Sequence, residues 1–187
     1  MKKYLFPAIK LTLLSLILFA GVYTLGMIGI GKMLPGKGES KKVSYNGKIF
    51  YANIAQNFSE NKYFWPRPSA VDYNAAGSGG SNKSTTNPDY LQTVQARIDT
   101  FLARNPGIEK KDIPVDMVTA SGSGLDPDIS PEAAYIQAQR IASARGIAEQ
   151  EVKSLIEKNI DKPLLNLFGP EKINVLQLNI ALDELKK

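Results

Sequence analysis

The sequence contains no cysteine and no histidine in 187 residues, and it has a single tryptophan. Those absences remove thiol nucleophiles, the Ser-His-Asp arrangement and the common zinc sites, each of which needs one of the missing side chains. A lipoprotein anchored through a lipid-modified cysteine is excluded on the same ground. The lack of cysteine is compatible with an oxidising compartment but does not establish one. Acidic residues are scarce at the start of the chain. Residues 1–48 hold eight lysines and only Glu39, a balance of +7, while residues 49–187 hold 15 basic and 17 acidic residues, a balance of −2. The overall +5 therefore belongs to the flanks of an apolar run, where lysines meet lipid headgroups, and it makes no case for nucleic-acid binding.

What the sequence does have is one long stretch without charge. From Leu11 to Gly31 it reads LTLLSLILFAGVYTLGMIGIG, closed by Lys10 and Lys32. At about 1.5 Å per residue such a helix spans a bilayer core of roughly 30 Å. A cleaved signal peptide is the competing reading, but the run exceeds the usual apolar length of about 7–15 residues, and a cut after Ala20 would put bulky Leu18 where a small residue is wanted. The expected organisation is a short N-terminus (1–10), a transmembrane helix (11–31), a Gly/Lys linker (32–42) and one soluble α+β domain (43–187). Charge does not orient the span. Lys2, Lys3 and Lys10 precede it, and Lys32, Lys37, Lys41 and Lys42 follow it.

Within the domain, Asn46-Gly47 between β-prone residues predicts a hairpin. Residues 56–87 read as a long loop pinned by Tyr63, Phe64, Trp65 and Tyr73. Asn87-Pro88-Asp89 starts a helix that carries Leu91, Val94, Ile98, Phe101 and Leu102 and ends at Asn105-Pro106-Gly107. Ser130-Pro131-Glu132 repeats that start for a helix running to Arg145, with Gly146 as its stop. A third helix, about 149–159, buries Val152, Leu155 and Ile156 and pairs Glu149 with Lys153. Two segments alternate like strands: IPVDMVTA at 113–120, and NVLQLNIALD at 174–183, with Leu176, Leu178, Ile180 and Leu182 on one side.

Candidate chemistry is confined to carboxylates, arginines and glycine loops. Asp126 and Asp128 flank Pro127 before a helix, where they either support a cation or acid-base work, or offset the helix dipole. Ser121-Gly122-Ser123-Gly124 is a phosphate-cradle candidate by its position before a helix. It lacks the lysine of a P-loop and has two aspartates nearby, so a tight turn is the better reading. Ser78, Gly79, Gly80, Ser81 and Asn82, with Lys83 alongside, form a second glycine loop, an anion site or a linker. Arg67 is held between Pro66 and Pro68 on a stiff backbone, which suits an ion pair or an interface.

The ordered blocks YFWPRPSAVDYNAAGSGGSN, NPDY, VDMVTASGSGLDPDISPEAAYIQAQRIASARG and INVLQLNIALD, behind a single N-terminal span, resemble the KdpC family, the C subunits of Kdp potassium-transporting P-type ATPases. The resemblance implies a non-catalytic accessory subunit in the cell (inner) membrane, with a cytoplasmic N-terminus and the domain outside. Its implied partners are a potassium-binding channel-like subunit, an ATP-hydrolysing pump subunit and the bilayer. It also implies a catalytic-chaperone role that raises the pump subunit's affinity for ATP, with no tightly bound cofactor of its own and no metal. The Ser78–Asn82 loop corresponds to a stretch likened to the signature loop of ABC transporters, which makes these five residues the implied nucleotide contacts. An outer domain cannot touch cytoplasmic ATP, and of the two implications the topology is preferred. Trp65 and Arg67 are the expected partner contacts of the domain. Gly21 and Gly26 are those of the span, where small residues let helices approach closely. Three departures stand out: Asp128 replaces the usual histidine, Pro66 replaces the usual glycine, and 161–172 matches only loosely. The alternative is a membrane-anchored hydrolase using Asp126 and Asp128, or a generic anchored adaptor.

Overall fold

The computed structural model describes residues 2–34, 36–163 and 165–185. Met1, Pro35 in the expected linker, Leu164, Lys186 and Lys187 lie outside the described residues. The chain divides into two compact units, Met1–Lys41 and Lys42–Lys187.

The first unit is one apolar helix, Lys3–Met33, long enough to cross a membrane. It comprises α1 (Lys2–Leu16), a wider π-helical stretch (Ile17–Tyr23) and α2 (Thr24–Met33). The hydroxyl of Thr24 donates to the Phe19 carbonyl at 2.9 Å, five residues back, at the end of the widened turn. Along this helix the large apolar side chains remain exposed. Gly21 lies in the π-helical stretch and Gly26 in α2, and a Cβ added at either meets nothing within 4 Å.

The second unit begins with the hairpin of β1 (Lys42–Tyr45) and β2 (Lys48–Tyr51), paired antiparallel with Tyr45 opposite Lys48. Asn46 and Gly47 take φ of 50° and 73°, the left-handed pair that a two-residue turn with the native strand twist requires. The long loop that follows leads to α3 (Pro88–Arg104). Its cap is the one the sequence predicts, with Asn87 accepting from the Tyr90 N–H. Only Phe101 of α3 is fully buried, and Leu91, expected on the apolar face, is half exposed.

Three sequence expectations need correction. Residues 113–120 do not form a strand: after Pro114 the chain closes a 3₁₀ turn, Val115–Met117, with the Met117 N–H donating to the Pro114 carbonyl at 3.0 Å. Asp116 in that turn accepts from both the Ser130 N–H and the Ser130 hydroxyl. The helix from Ser130 to Arg145 is two helices, α4 (Pro131–Tyr135) and α5 (Ala138–Arg145). They part where the Gln137 N–H bonds to Ala134, one residue short of the α-helical partner. Residues 174–183 are also helical. Asn174 caps α7 (Val175–Glu184) by accepting from Gln177 N–H, and Val175, Leu178, Asn179 and Leu182 recur at helical spacing and, with Leu176, make up its buried set. Leu176, Leu178, Ile180 and Leu182 suggest period two only if Val175 and Asn179 are overlooked.

The core gathers α4, α5, α6 (Glu149–Lys158) and α7 around Ile141, Val152, Ile156, Leu178 and Leu182, with Ala133, Ala134 and Ala138 allowing close helix contact. A two-residue antiparallel ladder, β3 (Asp128–Ile129) with β4 (Ile173–Asn174), closes one side. The architecture is α+β, with two separate two-stranded sheets among the described residues. Phe64, fully buried, brings the aromatic loop into this core. Asn179 receives it as a neighbouring strand would: the Phe64 N–H donates to Asn179 Oδ1 at 2.8 Å, and Asn179 Nδ2 donates to the Phe64 carbonyl at 3.0 Å.

Asn179→Leu keeps the volume and strands both Phe64 backbone groups. A buried unpaired group costs about 1–3 kcal/mol, so the expected loss is about 3 kcal/mol in denaturant unfolding of the full chain in detergent. Gln92→Leu on the exposed side of α3 should change stability by less than about 0.5 kcal/mol.

Candidate functional site

The segment Tyr63–Pro68 organises the polar side of the domain. The Trp65 N–H donates to Gln137 Oε1 at 2.8 Å, and Gln137 Nε2 donates to the Ala133 carbonyl at 2.9 Å and to the Trp65 carbonyl at 3.4 Å. Beside Gln137 lies Arg140, a buried cation with no carboxylate partner among the described residues. Its guanidinium donates to the Asn61 and Tyr63 carbonyls, Asn105 Oδ1 and Gln137 Oε1, and stacks 4.4 Å from the centroid of the Trp65 ring. Burial, aided by repulsion from Arg104, lowers its pKa to about 10.

Past Trp65 the chain turns over Pro66-Arg67-Pro68. Arg67 forms an ion pair with Asp126 at 2.9 Å across 59 residues of sequence. Among the described residues its Nε is the buried side-chain polar atom without a hydrogen bond. Tyr73 donates its hydroxyl to the Arg67 carbonyl at 2.8 Å, and burial pushes that phenol up to about 12 against the opposing pull of Arg97. Asp128, the other carboxylate considered for cation binding or acid-base work, is bound to Lys172 at 2.5 Å. The two aspartates thus face different cations.

The two glycine loops, far apart in sequence, pack directly on each other. The Gly79 N–H donates to the Ser123 carbonyl at 2.9 Å, and the Ser78 hydroxyl donates to the same oxygen at 3.1 Å. At Gly80 a Cβ would sit 3.1 Å from the Gly122 carbonyl. Gly124, at φ 65°, is tighter still: a Cβ there would lie 2.8 Å from the Gly79 carbonyl and 2.9 Å from a Val71 methyl. Ser69 adds a bond from its hydroxyl to the Gly124 carbonyl at 2.6 Å. Ser81 and Asn82 follow on the exposed side, with Asn82 at φ 50°. Arg67, Asp126, Ser78, Ser121 and Ser123 line a polar cleft of about 630 Å³ beside this contact.

A third cluster fastens the hairpin. Tyr45 of β1 and Tyr63 both donate to Asp183 of α7, and Arg145 of α5 binds the other carboxylate oxygen at 2.5 Å. Burial raises the Asp183 carboxyl, but the hydrogen bonds from Tyr45, Arg145 and Tyr63 outweigh it and hold the group below its ordinary value. Sequence reading missed Asp183, Arg140 and Gln137, because nothing within a few residues of them signals a partner more than 70 positions away.

These elements define a class: a small α+β domain carried on one helix long and apolar enough to cross a membrane. Within that class, residues 5–184 match the family described as KdpC: K+-transporting ATPase, c chain. The chain is 56% identical over 185 residues to the potassium-transporting ATPase KdpC subunit of Flavobacterium psychrophilum, covering 98% of this chain and 100% of that protein. It is 50% identical over 188 residues to the KdpC subunit of Bacteroides fragilis, covering 98% of each. With that of Caldanaerobacter subterraneus subsp. tengcongensis it shares 44% over 182 residues, covering 96% of this chain and 94% of the relative. The chain belongs to the KdpC family.

Two tests follow from this geometry. Gly124→Ala forces a left-handed residue against Gly79 and Val71 and should cost about 2 kcal/mol or more in unfolding of the full chain, whereas Gly122→Ala, with nothing within 4 Å, should be tolerated. Because the folded Asp183 carboxyl is depressed, its contribution to stability is present above the ordinary carboxylate pKa and is lost as pH falls through the folded value. Asp183→Asn should therefore lower stability at neutral pH and flatten the acid limb of the stability–pH curve.

Proposed function

We propose that the chain is the accessory, non-catalytic C subunit of a potassium-transporting P-type ATPase complex. It sits in the cell membrane with its N-terminus cytoplasmic and its domain on the outer face. The observation that carries this reading is the match over residues 5–184: span and domain together correspond to whole relatives named as KdpC subunits. The partners are the channel-like potassium-binding subunit and the ATP-hydrolysing pump subunit. The chain serves assembly and acts as a catalytic chaperone, raising the pump subunit's ATP affinity through subunit contact and holding no cofactor of its own. The occupied state of Asp126 and Asp128, each in its own ion pair, supports this over an anchored carboxylate hydrolase.

In the span, Gly21 and Gly26 leave room for a neighbouring helix. In the domain, Trp65 and Arg67 lie where a partner can meet the aromatic loop. Co-purification in mild detergent from cells making all subunits should recover the pump and channel subunits with this chain, and Gly26→Leu should lower the yield several-fold; a clean monomer overturns the proposal. Placement on the outer face predicts that protease added to intact spheroplasts removes the domain. It predicts as well that Ser81→Ala and Asn82→Ala in the assembled complex leave the KM for ATP unchanged. A several-fold rise in that KM would instead place the Ser78–Asn82 loop at the nucleotide.

A further inference from the structure

Between α3 and the aromatic loop runs a groove of about 480 Å³ that none of the contacts described above fills. Its floor and loop-side wall are apolar, formed chiefly by Phe58, Trp65, Pro66 and Phe101, with the Trp65 and Phe101 rings edge to face at 6.4 Å. The other wall is the exposed face of α3, which carries Arg97 and Arg104. They stand seven residues apart on one helix face, a separation of about 10 Å along the axis. Arg97 is fixed by a bond from its guanidinium to the Val118 carbonyl at 3.0 Å. Arg140 does not line the groove: it is buried against Trp65, stacked on that ring, and lines a neighbouring cleft with Arg104, close enough for the two to repel.

Two guanidinium groups, those of Arg97 and Arg104, thus line one largely apolar trough, with Arg140 buried against its Trp65 wall. Among the described residues the ion pairs of Arg67 and Arg145 account for two arginines, and no ion pair includes Arg97, Arg104 or Arg140. No residue lining the groove is acidic. Asp72, the acidic neighbour of Tyr73, lines the adjoining cleft, which shares Phe58 and Tyr73 with the groove, and is not itself a groove-lining residue. Asp99 of α3 accepts from Gln95, which is not among the groove-lining residues. Clustered cations that fold together unpaired are costly, and a carboxylate in a half-desolvated trough relieves that cost while gaining bidentate geometry from arginine. An aromatic and proline-lined trough beside a helix also suits an extended polypeptide, whose side chains enter it while its backbone lies along it.

We infer that this groove binds an extended, acidic segment of another subunit of the transporter, with an Asp or Glu carboxylate seated between Arg97 and Arg104 and an apolar neighbour against Trp65. The inference rests on reading the chain as a subunit of that complex. At about 3.3 Å per residue, a segment of roughly four residues spans the two arginines.

The test uses the assembled complex with the photoreactive residue p-benzoylphenylalanine in place of Thr100, which lines the groove, or of Gln92 as an exposed position outside it. Irradiation should cross-link position 100, and not position 92, to another subunit at a segment holding Asp or Glu within about four residues of the cross-link. Arg104→Glu should cut the yield by about tenfold, and Arg104→Lys should keep most of it. Arg104 is exposed, so this variant does not disturb the core. A cross-link to lipid, to a second copy of this chain or to a segment without acidic residues overturns the inference. So does an undiminished yield in Arg104→Glu. If the subunits co-purify but position 100 stays silent, only this inference falls; if they do not co-purify, the subunit reading falls and takes it along.

Discussion

The domain depends on a reciprocal pairing of side-chain amides with backbone: Asn179 with Phe64 and Gln137 with Trp65. A loop rich in proline and aromatics cannot enter a core unless its backbone groups find partners there, because a buried unpaired N–H or C=O costs as much as the burial of a side chain gains. Two amides, each offering a donor and an acceptor, supply what a neighbouring strand otherwise would. Phe64 is then free to be fully buried, and Trp65 is held with its ring under Arg140. The break between α4 and α5 belongs to the same device, since Gln137 sits at the break with its side chain turned to Ala133 and Trp65.

Once the aromatic loop is seated, the other polar contacts follow from chain geometry. Pro66 and Pro68 carry Arg67 to Asp126, and Ser69 carries the loop to Gly124, which brings Ser78 and Gly79 onto Ser123. Two glycine loops that each look like a cradle for an anion are thereby shown to be cradles for one another. The glycines at 80 and 124 are needed because backbone approaches backbone there, closer than a Cβ permits. The Gly79 amide is used in that contact, donating to the Ser123 carbonyl.

Charge in the domain is distributed unevenly for the same reason. Asp126, Asp128 and Asp183 are each consumed by a cation or a hydrogen-bonded cluster that ties distant segments together. Among the described residues the arginines at 97, 104 and 140 are in no ion pair, and those at 97 and 104 line one groove.

The sequence by itself determined the parts whose physics is local. The charge-free run from Leu11 to Gly31 dictated the apolar helix, Asn46-Gly47 the hairpin, and Asn87, Ser130 and Gly146 the ends of their helices, because each depends on atoms within about four residues. The ordered motif blocks also carried the family, independently of any chemistry read into them. Tertiary structure alone decided whether 174–183 was strand or helix, where Ser130–Arg145 broke, and what Arg67, Asp126, Gln137, Arg140 and Asp183 were for. Those outcomes turn on partners that only chain closure brings within hydrogen-bond reach, and a short alternating apolar stretch is ambiguous until the core shows which face it must cover.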